Sequence, residues 1–520
     1  MSNQAFYFIA LGIYFAGMLA IGVIAFLRTK DHEDYVLGGR KLPPFVAALS
    51  AGASDMSGWL IMGLPGAIYA TGLLEGWIAI GLFIGAYLNW LIVAPRLRAY
   101  SEVSKNSITV PSFFENRTRD RSRLLRIVSS VIILVFFTLY VSSGMVAGGK
   151  FFVSSFGGEY LVGMTLIALV TLAYTLFGGF LGVSLTDAVQ GILMFVALIA
   201  IPVVALFTIG SFDETATRIN EINPAALSLV GDGSLSTFAV SMFIISGLAW
   251  GLGYFGQPHI IVRFMALRSA QEAKTARRIG AGWQLLSLAG AVMAGLIGVA
   301  YFSKFGGAPD DPETVVLLMS QVLFHPLVAG LVLAAVVAAI MSTLSSQLLV
   351  TSSALVEDIY RVVRKDPPSQ VSLMWLGRGA VLLVAVIAGL LAVNPNDTVL
   401  GLVGFAWAGF GAAFGPIVLL SLYWRKLSNW GALAGMITGA VTVFVYKEID
   451  KMFEIGLYEL VPAFLLALVA AVVVSLLTPS IDPEIEDEFD ETGAIVLGET
   501  TAGAAAADAD GKPAGGAATA

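Results

Sequence analysis

A carboxylate, Asp55, stands within an apolar stretch that spans residues 43–70 and is long enough to cross a bilayer. Near a bilayer centre an acidic side chain costs roughly 2.5–3.5 kcal/mol on insertion scales, so it is kept where it faces a cavity, a partner charge or a bound cation. Its neighbours suit a cation. Ala53 and Met56 lie three apart across Ser54-Asp-Met-Ser-Gly58, a run of short polar residues and glycine that interrupts a helix. An unwound turn there frees carbonyls for a hard cation. Far along the chain Ala339, Ser342 and Thr343 follow the spacing i, i+3, i+4, which places one carbonyl and two hydroxyls on one helix face. These five positions offer five neutral oxygens, a donor set suited to Na+. Hydroxyls in membrane helices also bond back to the preceding turn or join helices, so Ser342 and Thr343 by themselves leave packing open beside ligation.

A second constellation lies in Gly247-Leu-Ala-Trp-Gly-Leu-Gly-Tyr-Phe-Gly-Gln-Pro258. On an α-helix Trp250, Tyr254 and Pro258, at i, i+4, i+8, form one stripe of two aromatic faces and a helix-breaking proline. Such a stripe suits a small amphiphile: an aromatic face beside an ammonium contributes about 0.5–2 kcal/mol, and free amides at a half-helix end accept a carboxylate. Packing is the alternative use of the same stripe. Gly251-Leu-Gly-Tyr-Phe-Gly256 also matches GxGxxG, yet it follows no strand and lies inside an apolar span, which excludes a dinucleotide loop. Asp187 is expected at a helix end, as a solvated cap or in ion release. The small residues of Ala406–Pro416 suit helix packing, and Glu75 suits an outer rim.

The elements that must hold these residues are membrane helices. Of 520 residues, 57% are hydrophobic and 12% charged, with a mean hydropathy of +0.85. Thirteen apolar stretches read as spans: 6–27, 43–70, 76–95, 127–150, 160–180, 186–210, 236–262, 279–303, 326–350, 373–393, 398–423, 431–446 and 459–478. The interrupted ones are the second and the seventh, five apart. Breaks at matching positions of two five-helix halves, about 43–210 and 236–423, point to an inverted-repeat transporter. With the amino terminus outside, only Lys150, Arg218, Lys304, Lys447 and Lys451 of the 29 Lys and Arg lie on the outer side, and Lys512 lies in the tail. That bias puts the carboxyl terminus inside and makes the basic run 117–126 a loop near lipid headgroups rather than a nucleic-acid patch.

Residues 1–478 thus form one transmembrane domain. Residues 479–520 hold ten acids and one base, which leaves +2 on the rest of a chain of net charge −7; this acidic, Ala/Gly-rich tail is expected to be disordered. The first span lacks a preceding Lys or Arg and exceeds a signal peptide's apolar length, so it reads as a retained anchor. Zero cysteines exclude disulfides, thiolate metal sites and cysteine catalysis, and His32, His259 and His325 are too scattered for a metal cluster. No P-loop is present, and an enzyme is not expected.

Tyr35-Val-Leu-Gly-Gly-Arg40, Ala48-Leu-Ser-Ala-Gly-Ala-Ser-Asp-Met-Ser-Gly-Trp59 and Met62-Gly-Leu-Pro-Gly66 closely resemble the sodium/solute symporter family, above all its bacterial proline-carrying members. The likeness continues through Trp250–His259, Met341–Ser345 and Trp407–Pro416, and covers about 6–478. It implies an all-α protein of thirteen helices with a leucine-transporter-like five-plus-five core in the bacterial cytoplasmic membrane. One Na+ would drive L-proline uptake by alternating access, with no organic cofactor and no obligate protein partner. The resemblance carries the sodium site onto Ala53, Met56, Ala339, Ser342 and Thr343, with Asp55 assisting. It gives Ser57 and Gly58 to the coupling of ion and substrate, and Trp250, Tyr254, Pro258 and Tyr140 to proline contact. Arg40, Gly63 and Asp187 match positions of coupling or release. Within transport the alternative is another small solute, such as a different amino acid, pantothenate or a sugar. A transporter-like sensor would need an output domain, which the tail does not supply.

Overall fold

The computed structural model describes residues 2–28, 32–231, 233–360, 362, 369–395, 397–479 and 482–498. Among these the elements are helical. Helix α1 (Asn3–Arg28) and the short α2 (His32–Leu37) precede a first set of helical segments: the broken pair α3 (Pro44–Asp55) and α4 (Leu64–Thr71); α5 (Gly76–Leu88) running into α6 (Ala94–Val103); α8 (Leu124–Phe156); and the two arms of α9 (Tyr160–Ile209). Helix α7 (Val110–Arg117) lies in the connection before α8. After α10 (Phe212–Ile222), the second set is α11 (Thr237–Ala249) with α12 (Pro258–Met265), α13 (Ala273–Phe305), α15 (Pro326–Ser353), α16 (Gln370–Ala392) and α17 (Val399–Tyr423), with α14 (Val315–Leu323) in a connection. Helices α18 (Asn429–Phe453) and α19 (Leu460–Leu477) pack on each other, and α20 (Pro483–Leu497) follows.

Among the described residues, eleven helices are long and apolar enough to cross a membrane, or twelve if the bent pair of α3 and α4 counts as one span. The expectation of thirteen counts 160–180 and 186–210 as separate crossings. There α9 breaks at Gly179 (φ 56, ψ −162), which divides Tyr160–Ile209 into two arms.

Both interruptions read from the sequence are present, by different local means. Between α3 and α4 the axis bends by 64°. Met56 leaves the helical region (φ −81, ψ 79), and the Ser57 N–H turns back to Asp55 O at 2.9 Å, so the helical ladder stops. In the second set Trp250–Gly256 winds as a 3₁₀ helix, Gln257 is extended (φ −81, ψ 107), and Pro258 opens α12. Proline keeps its predecessor out of the helical region, and glycines lower the cost of leaving the α-helix. Helix α15 runs through the centre, almost wholly buried. Its small residues admit neighbours closely: a Cβ on Gly330 would lie 2.8 Å from Ala10 Cβ of α1.

The acidic tail departs from the expected disorder over α20. Ile485, Phe489 and Thr492 fall at i, i+4, i+7 and face the protein, which sets one apolar stripe on an otherwise acidic helix. Glu488 pairs with Arg119 at 2.7 Å, Asp490 pairs with Arg425, and Arg96, Arg117 and Arg425 all lie over the Phe489 ring. Two arginines at the ends of the basic run are taken up inside the protein. Arg117 is buried with its Nε donating to Ser421 O at 2.9 Å, and Arg126 bonds Asp358 at 2.8 Å, so these guanidiniums staple helices together. Burial lowers the pKa of Arg117. Residues 499–520 of the tail lie outside the described residues.

Candidate ion and solute site

The first break meets α15 through oxygen atoms. Ser342 donates to Ala53 O at 2.7 Å and is 3.1 Å from Ala339 O; Thr343 Oγ1 lies 3.5 Å from Ala53 O and 3.4 Å from Ala339 O. Four of the five expected oxygens therefore converge. Ala53 can contribute because Ser57, whose N–H would bond it in a continuing helix, bonds Asp55 O. Met56, the fifth position, is fully buried at the break, with its N–H closing the last turn onto Gly52 O at 2.9 Å.

Asp55 is 1% exposed, and its carboxylate turns toward the second break: Oδ2 accepts from the Tyr254 hydroxyl, whereas Oδ1 has no hydrogen-bond partner among the described residues. Its carbonyl accepts from Trp59 Nε1 at 3.0 Å and from the Tyr140 hydroxyl at 3.5 Å. Ser57 and Gly58 complete the bend. Ser57 Oγ accepts from Trp59 N at 3.4 Å, and a Cβ on Gly58 would lie 2.8 Å from Ala147 Cβ of α8. One turn further on, a Cβ on Gly63 would lie 3.1 Å from Leu400 Cβ at the start of α17.

The aromatic stripe takes a different form from the one expected of an α-helix. At three residues per turn Trp250 and Tyr254 point about 120° apart, and Trp407 of α17 joins them. Its ring stacks on Trp250 (6.4 Å, 27°) and meets Tyr254 edge-on (5.0 Å, 87°), while its Nε1 donates to Trp250 O at 2.8 Å. Tyr458 stacks on Trp250 at 5.4 Å. Pro258 lies beyond the extended Gln257 and lines a mainly apolar cavity with Thr109, Ile133, Val262 and Leu349. The glycines of the GxGxxG run serve close packing: a Cβ on Gly251 would fall 2.3 Å from Gly81 O, and one on Gly253 1.8 Å from Trp407 Nε1.

Asp187 is not a solvated cap. It is fully buried, pairs with Arg263 at 3.1 Å, and accepts from Ser50 at 2.8 Å and Ser346 at 3.3 Å. Ser50 lies one turn before Ala53, and Ser346 one turn after Ser342 and Thr343. The four side chains thus make a second polar layer beside the oxygen cluster. Arg40 lies apart, where its guanidinium bonds Met265 O (2.8 Å), Ser107 O (2.8 Å) and Asn106 Oδ1 (3.0 Å), and so ties the entry to α3 to the end of α12.

Residues 35–439 match the family model described as the sodium:solute symporter family. The chain belongs to that family. It is 54% identical over 470 residues to "Osmoregulated proline transporter OpuE" of Bacillus subtilis, covering 90% of this chain and 94% of that one. It is 53% identical to "High-affinity proline transporter PutP" of the same organism (91% and 98% covered) and 47% identical to "Sodium/proline symporter 2" of Staphylococcus saprophyticus (94% and 96%). Among solved structures, a Na+-coupled sialic acid symporter in a substrate-bound outward-open state shares the fold, with a TM-score of 0.75 at 22% identity over 91% of this chain and 98% of that one. As a symporter of this family the protein is a secondary transporter, not an enzyme.

Several participants carried no sequence signal. Trp407 stands in a run whose small residues suit packing, Gln284, Asn89 and Arg263 stand in no motif, and His259 enters only as one of three scattered histidines and at the end of a family motif. Asn89 Nδ2 donates to Tyr254 O at 2.9 Å, and His259 is buried edge-on to Phe137 and Tyr140. A lone polar residue in an apolar helix reveals its partner only once the helices are assembled.

Proposed function

We propose that this symporter imports L-proline with Na+ by alternating access across the bacterial cytoplasmic membrane. One observation carries the reading: the oxygens of Ala53, Ala339, Ser342 and Thr343 meet at the first break, and Asp55 of that break is hydrogen-bonded to Tyr254 of the second. Na+ is cargo here. It takes the converged oxygens, with the Met56 carbonyl as the fifth donor, and the two hydroxyls turn their lone pairs toward it. Asp55 draws the cation into the break. Proline meets the aromatic group of Trp250 and Tyr254, with Tyr140 and Pro258 as further contacts, and its ammonium lies against ring faces. Ser57 and Gly58, at the bend, link the two events. The buried layer of Asp187, Ser50 and Ser346 offers the ion its next oxygens on the way in, while Arg40 and Gly63 hold the moving ends.

The same reading assigns thirteen helices in a leucine-transporter-like core of five plus five, with the amino terminus outside. The two arms of α9 on either side of Gly179 count as separate crossings, and the basic loops and α20 lie on the inner side, in line with the positive-inside bias. The driving force is sufficient: at roughly 2.3 kcal/mol per charge per 100 mV, one Na+ supports about 50-fold accumulation. The test is uptake of labelled proline by liposomes holding the purified protein under an imposed Na+ gradient, with competition by other amino acids, pantothenate and sugars. Saturable uptake that collapses when choline replaces Na+ is expected. Uptake that ignores Na+, or that another solute on the panel supports and proline does not, would overturn the assignment.

A further inference from the structure

Gln284 belongs to neither break. It projects from α13, is 5% exposed, and its Nε2 lies 2.7 Å from the Tyr254 hydroxyl oxygen and 3.5 Å from Leu82 O. The second neighbour settles which amide atom faces them. A backbone carbonyl only accepts, so the group turned toward Leu82 O is the NH2. Tyr254 therefore receives a hydrogen bond from Gln284, and its single proton is left for Asp55 Oδ2. The three side chains form a chain of fixed direction, from Gln284 through Tyr254 to Asp55, that crosses from α13 through the second break to the first.

We propose that Gln284 is a positioning residue for ion coupling: it sets the polarity of the Tyr254 hydroxyl, and so holds Asp55 with Oδ2 occupied and Oδ1 free for the incoming cation. This rests on the sodium site proposed above. Without the amide, the phenol loses its donor and rotates its proton between Asp55 and other acceptors, and the carboxylate is no longer held in one orientation. Because Tyr254 also contacts the solute in that reading, the chain makes the posture of Asp55 depend on the second break. Gln284 acts only through the Tyr254 hydroxyl, and this sets it apart from a residue that merely fills space.

The test is a double-mutant cycle on the full-length purified protein. Na+ binding is read without transport, from the NaCl concentration giving half of the Na+-dependent rise in melting temperature, with choline chloride holding ionic strength constant. Gln284→Met keeps length and volume and removes the donor; a tenfold rise in half-saturating Na+ is expected, about the worth of one hydrogen bond in a chain ending on a carboxylate. Tyr254→Phe gives a similar rise, and the pair of substitutions together gives no more than Tyr254→Phe alone. An unchanged Na+ dependence in Gln284→Met, or a shift that multiplies in full on top of Tyr254→Phe, overturns the proposal. If Gln284→Met does not yield folded protein, Gln284→Asn retracts the amide out of reach and faces the same two outcomes. Parent protein that responds to Na+ but imports no proline sinks the substrate reading alone and leaves the cycle to decide this one; parent protein with no Na+ response removes the sodium site and this inference with it.

Discussion

The break between α3 and α4 and the break between α11 and α12 are made by opposite chemistry. The first is short and polar: Ser54 and Ser57 bond the backbone through their hydroxyls, and carbonyls are released toward neighbouring hydroxyls. The second is longer and apolar, with Gly251, Gly253, Gly256 and Pro258 relaxing the α-helix into a 3₁₀ turn that packs against α5 and α17 almost backbone to backbone. A break made by side-chain oxygens suits an ion. A break made by glycine suits a solute, because it thins the helix and lets large aromatic rings from other elements gather around it.

The largest test of this contrast is to add one methyl group to each break. On Gly251 the new Cβ would meet Gly81 O at 2.3 Å, a backbone atom that cannot yield locally; on Gly58 it would meet the Ala147 methyl at 2.8 Å. Gly251→Ala is expected to destabilise the fold by about 3 kcal/mol or more, and Gly58→Ala by about 1 kcal/mol. Yield and melting temperature of the purified proteins measure both. Equal losses would remove the distinction between a tightly packed break and a looser one.

Asp55→Asn tests the ionic side. Asn keeps an acceptor for the Tyr254 hydroxyl, so the protein should insert and melt nearly as before, while half-saturating Na+ for proline uptake rises about tenfold or more through loss of the charge. Unchanged Na+ activation would mean that the neutral oxygens recruit the ion by themselves.

What could be read in advance follows the same contrast. The oxygen face on α15 was legible because that helix is a regular α-helix, where the spacing of Ala339, Ser342 and Thr343 translates directly into one side. The breaks were legible because glycine, proline and short polar residues act locally. The aromatic stripe takes another form because a 3₁₀ turn changes the period under it, and Trp407, Gln284 and Arg263 give no warning because the partners that set their roles lie 30 or more residues away in sequence. Composition hid α20, where a stripe of Ile485, Phe489 and Thr492 is diluted by six acids. The break inside α9 turns on one torsion, at Gly179, that hydropathy does not see.

The solute side should respond less than the fold does to Gly251. Trp407→Phe removes the indole donor to Trp250 O while keeping a ring against both Trp250 and Tyr254. With about 1 kcal/mol assigned to that bond, half-saturating proline is expected to rise about fivefold with Na+ activation little changed. Trp250→Ala should raise it further. A Trp407→Phe protein altered equally toward both substrates would merge the two breaks into a single site.

The smallest effect separates cause from support at the first break. Ser54 Oγ bonds back to Ala51 O at 3.1 Å, the kind of bond that weakens a helix from within. If such bonds alone interrupt α3, Ser54→Ala should let the helix run on, bury the Ala53 carbonyl in its own ladder and raise half-saturating Na+ markedly. The bend is held by more than this. Trp59 bonds Asp55 O from the next turn of the same segment, while Tyr140 bonds Asp55 O and Ser342 bonds Ala53 O from other helices. Ser54→Ala is therefore expected to change stability by less than about 1 kcal/mol and half-saturating Na+ by no more than about twofold, since tertiary contacts routinely override local propensity. A larger rise in half-saturating Na+ would show that the break is set by its own sequence, and that α15 only recognises a shape already made.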